Sequence, residues 1–281
     1  MIKNILVPID GSEVSYYGLN YAVDIASSFQ AKIHLGNFIA PAMYHIPVQG
    51  QEAIFGNASA LQVAIMNDER RQVEKKLQRV MDVQVPADLQ GKVLTKATSD
   101  FREVDQFCED ANVDMVIMGS SGNHSLWELF MGNNTENVIR RAPVPVLALS
   151  EPHSFQLKNV LISTDLSENI PEQLLTLYRS FQKTGAKVHL VNILESDLIG
   201  MEEVQQKMKE YVRKHQLQEV KIHIRSAYDF ISGFEKALSD INPDLVLMKT
   251  YDKNAFWSFF EGSLAEKVIS TFPVPTLVER V

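Results

Sequence analysis

Three glycines follow an apolar segment in the stretch "MGSSGNHSLWELFMGNNTENVI", residues 118 to 139. Two residues separate Gly119 from Gly122, and nine separate Gly122 from Gly132, which gives the pattern G-x2-G-x9-G. A glycine-rich turn between a strand and a helix can present backbone N–H groups to a phosphate. The pattern is neither a Walker loop, which needs a lysine directly after its second glycine, nor G-x-G-x-x-G. Two interpretations stay open at this point, a phosphate-binding loop and an ordinary strand-to-helix turn.

A second candidate group is Asp10-Gly11-Ser12, which follows the apolar run "NILVPI". A carboxylate at the end of a strand can accept hydrogen bonds from ribose hydroxyls or from the amine of a base. Gly11 permits close approach of the backbone, and Ser12 can cap the helix that follows. Because Asp-Gly-Ser is also a common turn and N-cap sequence, a purely structural role stays open as well.

No catalytic or metal-binding constellation emerges elsewhere in the chain. The seven histidines show no metal-ligand spacing, and neither G-x-S-x-G nor His-Glu-x-x-His occurs. His34 and His189 recur as repeat partners inside a strand, which indicates a structural position. The single cysteine, Cys108, lies at helical spacing from Val104 and Ala111, so we expect a buried helix position rather than a nucleophile.

The bulk composition is that of a globular protein without a nucleic-acid or membrane partner. The chain has 281 residues, 45% of them hydrophobic, with a net charge of −8 and a pI near 5.4. The basic residues of 67–80 alternate with acids and form no basic stripe, which argues against nucleic-acid binding. One cysteine fits a reducing compartment, and no signal-peptide pattern or membrane-length apolar run is present. We expect a cytoplasmic protein.

The chain contains an internal duplication. "KNILVPIDGSE" (3–13) returns as "KNVLISTDLSE" (158–168), an offset of 158 − 3 = 155. "VDMVIMG" (113–119) returns as "PDLVLMK" (243–249), an offset of 243 − 113 = 130, and "APVPVLAL" (142–149) as "FPVPTLVE" (272–279). The first copy therefore carries about 25 extra residues in or near 41–67. We predict two domains, a first copy at 1–150 and a second copy at 151–281, joined by the polar linker 150–158.

Strand-like and helix-like segments alternate within each copy, which predicts an α/β fold with two repeated doubly wound parallel sheets. Ligands of such sheets bind beyond the carboxyl ends of the strands, where the strand order reverses. The candidate segments are then the ends of the first, second and fourth strands: "PIDGS", "NFIAP" and "MGSSG".

The order of these motifs over essentially the whole chain resembles the universal stress proteins, here as a tandem pair. The resemblance implies five-stranded, adenine-nucleotide alpha hydrolase-like domains that pair through their last strands, and ATP as the ligand of nucleotide-binding members. A further homodimer of two chains stays open. Carried over to this sequence, the site comprises Pro8, Ile9, Asp10, Gly11, Ser12, Phe38, Met118, Gly119, Ser120, Gly122, Gly132, Asn133, Asn134 and Thr135.

Two departures from the family pattern bear on this site. Nucleotide-binding members have Ser or Thr after the last glycine, where this chain has Asn133, although Thr135 keeps a hydroxyl nearby. In the second copy, Lys249 and Asp252 replace the first two glycines, and Leu166 replaces Gly11. We expect their side chains to crowd the backbone path and Asp252 to repel a phosphate, while neutralisation of a phosphate by Lys249 stays open as the alternative. We therefore expect the second copy to be mainly structural.

Two classes of function follow. The first is a stress-response protein that binds ATP or a related adenine nucleotide, with or without Mg²⁺, in the first copy as a regulatory ligand. The second is a non-nucleotide interaction protein that acts as a scaffold or binds another small ligand. We expect no enzyme, since no general base is marked, although slow ATP hydrolysis by a bound water stays open. The insertion beside the predicted adenine pocket is a candidate lid.

Overall fold

The structure, a computed structural model, describes residues 2–39, 55–97, 102–120, 142–166, 170–195, 200–250 and 264–280. The strands within these ranges are β1 Asn4–Pro8, β2 Lys32–Ile39, β3 Gln90–Ala97, β4 Met115–Gly119, β5 Val146–Leu149, β6 Asn159–Ser163, β7 Lys187–Leu194, β8 Val220–Ser226, β9 Leu245–Thr250 and β10 Thr276–Arg280. The helices are α1 Glu13–Phe29, α2 Phe55–Gln84, α3 Arg102–Asp110, α4 Glu172–Gln182, α5 Met201–Lys214, α6 Phe230–Ile241 and α7 Leu264–Thr271, with a 3-10 turn at Ala87–Leu89.

All ten strands form one sheet in the order β3-β2-β1-β4-β5-β10-β9-β6-β7-β8. Neighbouring strands within each copy are parallel. The two copies meet where β5 and β10 pair antiparallel, with Leu147 opposite Leu277. The predicted fold, two doubly wound five-stranded parallel sheets joined through their last strands, is confirmed.

Helices cover both faces of the sheet, as buried parallel strands require. The side chains of Ile5, Leu6 and Val7 in β1 are fully buried, and they alternate between two apolar clusters. One cluster contains residues of α1, α2, α4 and α5, and the other contains residues of α3, α6 and α7. Cys108 lies buried in α3, in agreement with its helical spacing. None of the helices in the described ranges is long and apolar enough to cross a membrane.

The amino-terminal edge of the sheet is the same in both copies. In the first copy, the Oδ2 atom of Asp114 accepts hydrogen bonds from the backbone N–H groups of Lys3 (2.6 Å) and Asn4 (2.9 Å). In the second copy, Asp244 makes the matching bonds with residues 158 and 159, at 2.7 and 2.8 Å. The start of the first strand of each copy is therefore fixed by the same pair of bonds.

The extra length of the first copy appears in α2. This helix has 30 residues and its counterpart α5 has 14, although the two end at repeat-partner positions, Gln84 and Lys214 (214 − 84 = 130). The additional 30 − 14 = 16 residues lie at the start of α2, where the chain arrives from the carboxyl end of β2. At a rise of about 1.5 Å per residue they lengthen the helix by roughly 24 Å. The rest of the predicted insertion, before Phe55, lies outside the described residues.

The linker between the copies carries an aromatic contact that its polar composition does not predict. The ring of Phe155 lies 5.7 Å from Tyr21 and 6.1 Å from Phe29 in α1, and 6.0 Å from Phe181 in α4. The N–H of Phe155 also donates to the Oδ2 atom of Asp24 at 3.1 Å. Phe155 therefore connects one helix of each copy.

An aromatic cluster in the sequence predicts core or interdomain packing, with an exposed contact surface for a partner as the alternative. Its residues lie outside the described ones: Trp127, Phe130, Trp257, Phe259 and Phe260.

Candidate functional site

The candidate site lies at the carboxyl edge of the first copy, meaning the edge formed by the carboxyl ends of its strands. β1 lies between β2 and β4, and the chain order reverses between β1 and β4. This order brings together the three strand ends expected from the sequence. Asp10 follows β1, Phe38 lies near the end of β2 with its backbone paired to Lys96, and Gly119 ends β4.

The turn after β1 is ordered by its own side chains. The Oδ1 atom of Asp10 accepts hydrogen bonds from the N–H (2.8 Å) and the hydroxyl (2.6 Å) of Ser12. Gly11 has a φ of +89°, a conformation that favours glycine, and the Ser12 hydroxyl caps α1 by accepting from the N–H of Ser15. Asp10 is exposed, and the bonds found for it in the described residues all involve Oδ1. The structural and ligand-binding interpretations are therefore compatible, since Oδ2 can accept from a ligand.

Asn37 in β2 fixes the end of β1 and was not singled out from the sequence. Its amide Nδ2 donates to the carbonyl oxygen of Ile9 at 2.6 Å. Its Oδ1 atom is buried and has no hydrogen-bond partner within the described ranges. The signal in the sequence was its repeat partner Asn192, whose amide donates in the same way to the carbonyl of Thr164 at 2.8 Å.

Gly119 is required by packing, whatever it contributes to a ligand. A Cβ atom at this position would lie 1.7 Å from the carbonyl oxygen of Val14 and 3.0 Å from the N–H nitrogen of Ser15, both in the first turn of α1. A Cβ on Gly18 would likewise lie 2.8 Å from the Gly119 nitrogen. The first turns of α1 thus lie directly on the end of β4.

The residues on either side of Gly119 are buried. Met118 belongs to the apolar core. Ser120 is 5% exposed, and its N–H donates to the carbonyl of Leu149 at 2.8 Å. Its hydroxyl is buried without a hydrogen-bond partner in the described part of the chain.

The remaining predicted contacts lie outside the described residues: Gly122, Gly132, Asn133, Asn134 and Thr135. Their place in the site stays a prediction.

The histidines that recur as repeat partners are structural. His34 is buried, and its Nδ1 atom accepts from the N–H of Lys92 at 3.1 Å. Burial lowers the pKa of His34 to about 4, and nearby lysines act in the same direction. The repeat partner His189 instead forms a ring-to-ring hydrogen bond with His223, Nδ1 to Nε2 at 2.9 Å. Among the described residues, no group of three or more histidine, cysteine, aspartate and glutamate side chains could hold a metal ion.

Charged side chains lie at the carboxyl edge of the second copy. The side chain of Lys249 is 6% exposed and that of Asp165 48% exposed, and the Nζ atom of Lys249 lies 3.1 Å from the Oδ1 atom of Asp165. On the neighbouring strand, the Oε2 atom of Glu279 accepts a hydrogen bond from the N–H of Leu174 at 2.5 Å. Because Pro171 gives α4 no side-chain cap, Glu279 satisfies a free N–H at the start of that helix.

Glu279 makes the stability of the protein depend on pH. Burial raises the pKa of Glu279 from 4.5 to about 7, although the bond from Leu174 favours the charged form. Protonated Glu279 thus contributes stability that is complete below pH 4.5 and is lost as the pH rises through about 7. Glutamine stays neutral at both pH values. We therefore expect the free energy of unfolding of Glu279→Gln, relative to that of the wild type, to rise by about 1 kcal/mol from pH 5 to pH 8.5, allowing for solvent screening. Urea unfolding at the two pH values measures this difference, and an equal effect of the substitution at both would contradict it.

The comparisons with known proteins agree with this architecture. The model of the universal stress protein family matches residues 1–150. A universal stress protein of Methanocaldococcus jannaschii is 26% identical over 153 residues, which cover 54% of this chain and 84% of that protein. Among solved structures, a universal stress protein from Archaeoglobus fulgidus has a TM-score of 0.65 at 21% identity, with coverage of 99% of this chain and 96% of that chain. A functionally unknown protein from Pseudomonas aeruginosa has a TM-score of 0.64 at 15% identity, with coverage of 99% and 92%.

The two structures, at these identities, support the fold alone. The family match is broader evidence, because it covers more than half of the 281 residues. The chain belongs to the universal stress protein family.

Proposed function

We propose that the first copy, residues 1–150, binds ATP or a related adenine nucleotide as a regulatory ligand in a stress response. The second copy, residues 151–281, is mainly structural and supports the first through the shared sheet. The protein acts by binding rather than by catalysis, in the cytoplasm. Mg²⁺ accompanies the nucleotide only if the phosphates recruit it, since the predicted site contains one carboxylate, Asp10.

The observation that carries this proposal is the exposed carboxylate of Asp10 at the point where the strand order reverses. The turn is formed in advance, because Ser12 and Gly11 set its conformation without a ligand. A preformed acceptor of this kind suits ribose hydroxyls, since little ordering is needed on binding.

One buried polar atom at the same edge adds support. The Ser120 hydroxyl has no hydrogen-bond partner among the described residues, whereas the unpartnered Oδ1 atom of Asn37 recurs at Asn192 and does not distinguish the copies. A buried polar group without a partner costs about 1–3 kcal/mol, so a ligand or an ordered water that bonds to it is favoured.

Titration with nucleotides tests the proposal. We expect ATP, ADP or AMP, with and without Mg²⁺, to raise the melting temperature and to give a calorimetric isotherm. A ligand at 100 times its Kd stabilises the folded state by about 2.7 kcal/mol. Gly122→Asp, which copies Asp252 of the second copy, should abolish the shift because it places a negative charge in the predicted phosphate path.

The control is Gly200→Asp, the same substitution in the second copy. A Cβ atom at Gly200 meets nothing within 4 Å, and aspartate is a favourable residue at this helix N-cap. This variant should fold and bind nucleotide as the wild type does. If the folded wild type shows no shift at millimolar ATP, the nucleotide function is wrong and the scaffold interpretation takes its place.

A further inference from the structure

The two copies differ most at one position of the carboxyl edge. Gly119 ends β4 in the first copy, and its repeat partner in the second copy is Lys249 (249 − 119 = 130). Gly119 has no room for a Cβ atom, because the first turn of α1 lies on it. Lys249 has a long side chain at the equivalent place, and this side chain is buried. The structure that packs on the end of this strand must therefore differ between the copies.

The difference is the start of the helix. The repeat partner of Glu13, the first residue of α1, is residue 168, but α4 begins at Glu172, four residues later (172 − 168 = 4). Pro171 precedes Glu172, and a proline is tolerated at the start of a helix but not inside it. The repeat partners of Val14 and Ser15, residues 169 and 170, thus precede α4.

Lys249 pairs with the repeat partner of Asp10, the carboxylate on which the proposed ligand site of the first copy depends. Its Nζ atom lies 3.1 Å from the Oδ1 atom of Asp165, which is the repeat partner of Asp10 (165 − 10 = 155). In the first copy, the bonds of the equivalent Oδ1 atom within the described ranges are to Ser12 of its own turn. The carboxylate is exposed in both copies, since the side chain of Asp165 is 48% exposed, but in the second copy a buried ammonium group lies against it.

Leu166 supports this difference. It keeps the left-handed conformation of its repeat partner Gly11, with φ of +63° against +89°. A leucine in this region is strained by about 1 kcal/mol or more. Its side chain packs against the apolar core of the α1 and α4 face, so the turn is preserved while an apolar side chain enters it.

We infer that Lys249 determines which copy accepts a ligand: its ammonium group closes the crevice of the second copy by occupying Asp165. The inference rests on the proposed function, because it assigns Asp165 the ligand-binding potential proposed for Asp10. Each chain then binds one nucleotide, although its two copies share one fold.

Counting bound ligand in Lys249→Gly tests the inference. The probes are ATP, for the first copy, and adenosine, which lacks the phosphates that Asp252 would repel. Equilibrium dialysis up to millimolar adenosine should show one more adenosine site per chain in Lys249→Gly than in the wild type. The double variant Lys249→Gly/Asp165→Asn should lose that added site. Lys249→Arg is the matched control, since it keeps a long cationic side chain beside Asp165, and it should add no site.

The outcomes separate the inference from the proposed function. If the wild type binds no ATP but Lys249→Gly gains an adenosine site, the proposed function fails, and only the closure of the second crevice by Lys249 is supported. If the wild type binds one ATP and a folded Lys249→Gly gains no site, the inference is overturned and the proposed function stands.

A second measurement applies even if Lys249→Gly does not fold. Asp165→Asn leaves the buried ammonium group without its carboxylate, so its melting temperature should fall by about 5 °C. Asp10→Asn, at the matched position, keeps an oxygen that accepts from Ser12 and should fall by less than about 2 °C. Equal shifts in the two variants would overturn the role given to the ion pair.

Discussion

Replacing Gly119 with alanine should destabilise the protein by about 3–5 kcal/mol, the largest effect expected from a single methyl group in the described chain. The added Cβ atom would lie 1.7 Å from the carbonyl oxygen of Val14. The backbone alone determines the positions of both atoms. No rotamer change relieves such a contact. Either the first turn of α1 or the end of β4 must move, which disturbs the Ser12 cap and the turn that carries Asp10.

Urea unfolding followed by circular dichroism measures this effect. The control is Gly200→Ala, where the new Cβ atom meets nothing within 4 Å, and we expect a change below about 1 kcal/mol there. A Gly119→Ala variant within about 1 kcal/mol of the wild type would show that α1 does not lie on β4 as described.

This steric role changes how the glycine motif is interpreted. Loss of nucleotide binding in Gly119→Ala would say nothing about phosphate contacts, because the site would be distorted in any case. Gly122 is the better position for the ligand test. The internal repeat is compatible with this division, since Gly18 and Gly119, which lie against each other, are both replaced in the second copy, by Gln173 and Lys249.

The sequence was sufficient to predict the sheet. Strand-helix alternation and the two repeat offsets define ten strands, and the resemblance supplies the pairing of β5 with β10. These features depend on local periodicity and on comparison of the copies, so no knowledge of distant contacts is needed. The identical bonds of Asp114 and Asp244 at the amino-terminal edge explain why those parts of the repeat stayed similar.

The candidate site could be predicted only in outline. Strand order was enough to bring Asp10, Phe38 and Gly119 to one edge. The ion pair between Lys249 and Asp165 could not be foreseen, because it joins residues far apart in the chain and depends on where α4 begins. Pro171 was a readable sign of that late start. The loop from Gly122 to Thr135 stays a prediction.

Phe155→Ala is expected to have the second-largest effect, a loss of about 2–3 kcal/mol, since the ring is partly rather than fully buried. The substitution removes the ring that contacts Tyr21 and Phe29 on one side and Phe181 on the other. Aromatic pairs at these distances add about 0.5–1.5 kcal/mol each beyond the area that they bury. The loss therefore falls on the contact between the copies rather than on the core of either.

The direct backbone connection between the copies is short. β5 and β10 are paired at only three positions, Thr276 with Ala148, Leu277 with Leu147 and Val278 with Val146. A pairing of this length gives few hydrogen bonds, so side-chain packing such as that of Phe155 must supply much of the coupling. We expect wild-type protein to unfold in one cooperative transition. Phe155→Ala should separate this into two transitions, or lower the urea m-value, as the copies begin to unfold independently.

The matched control is Phe230→Ala in α6, which removes a partly buried phenylalanine ring stacked on Phe234 within the second copy. It should destabilise the protein to a similar degree but leave the two copies coupled, because its contact does not cross between them. Intrinsic fluorescence and far-ultraviolet circular dichroism would then give coincident curves for Phe230→Ala and separate curves for Phe155→Ala. Coincident curves for both would mean that the three β5–β10 pairs and the direct contact of Phe29 with Phe181 suffice to couple the copies. In that case the linker would affect stability without transmitting changes, including ligand binding at Asp10, from one copy to the other.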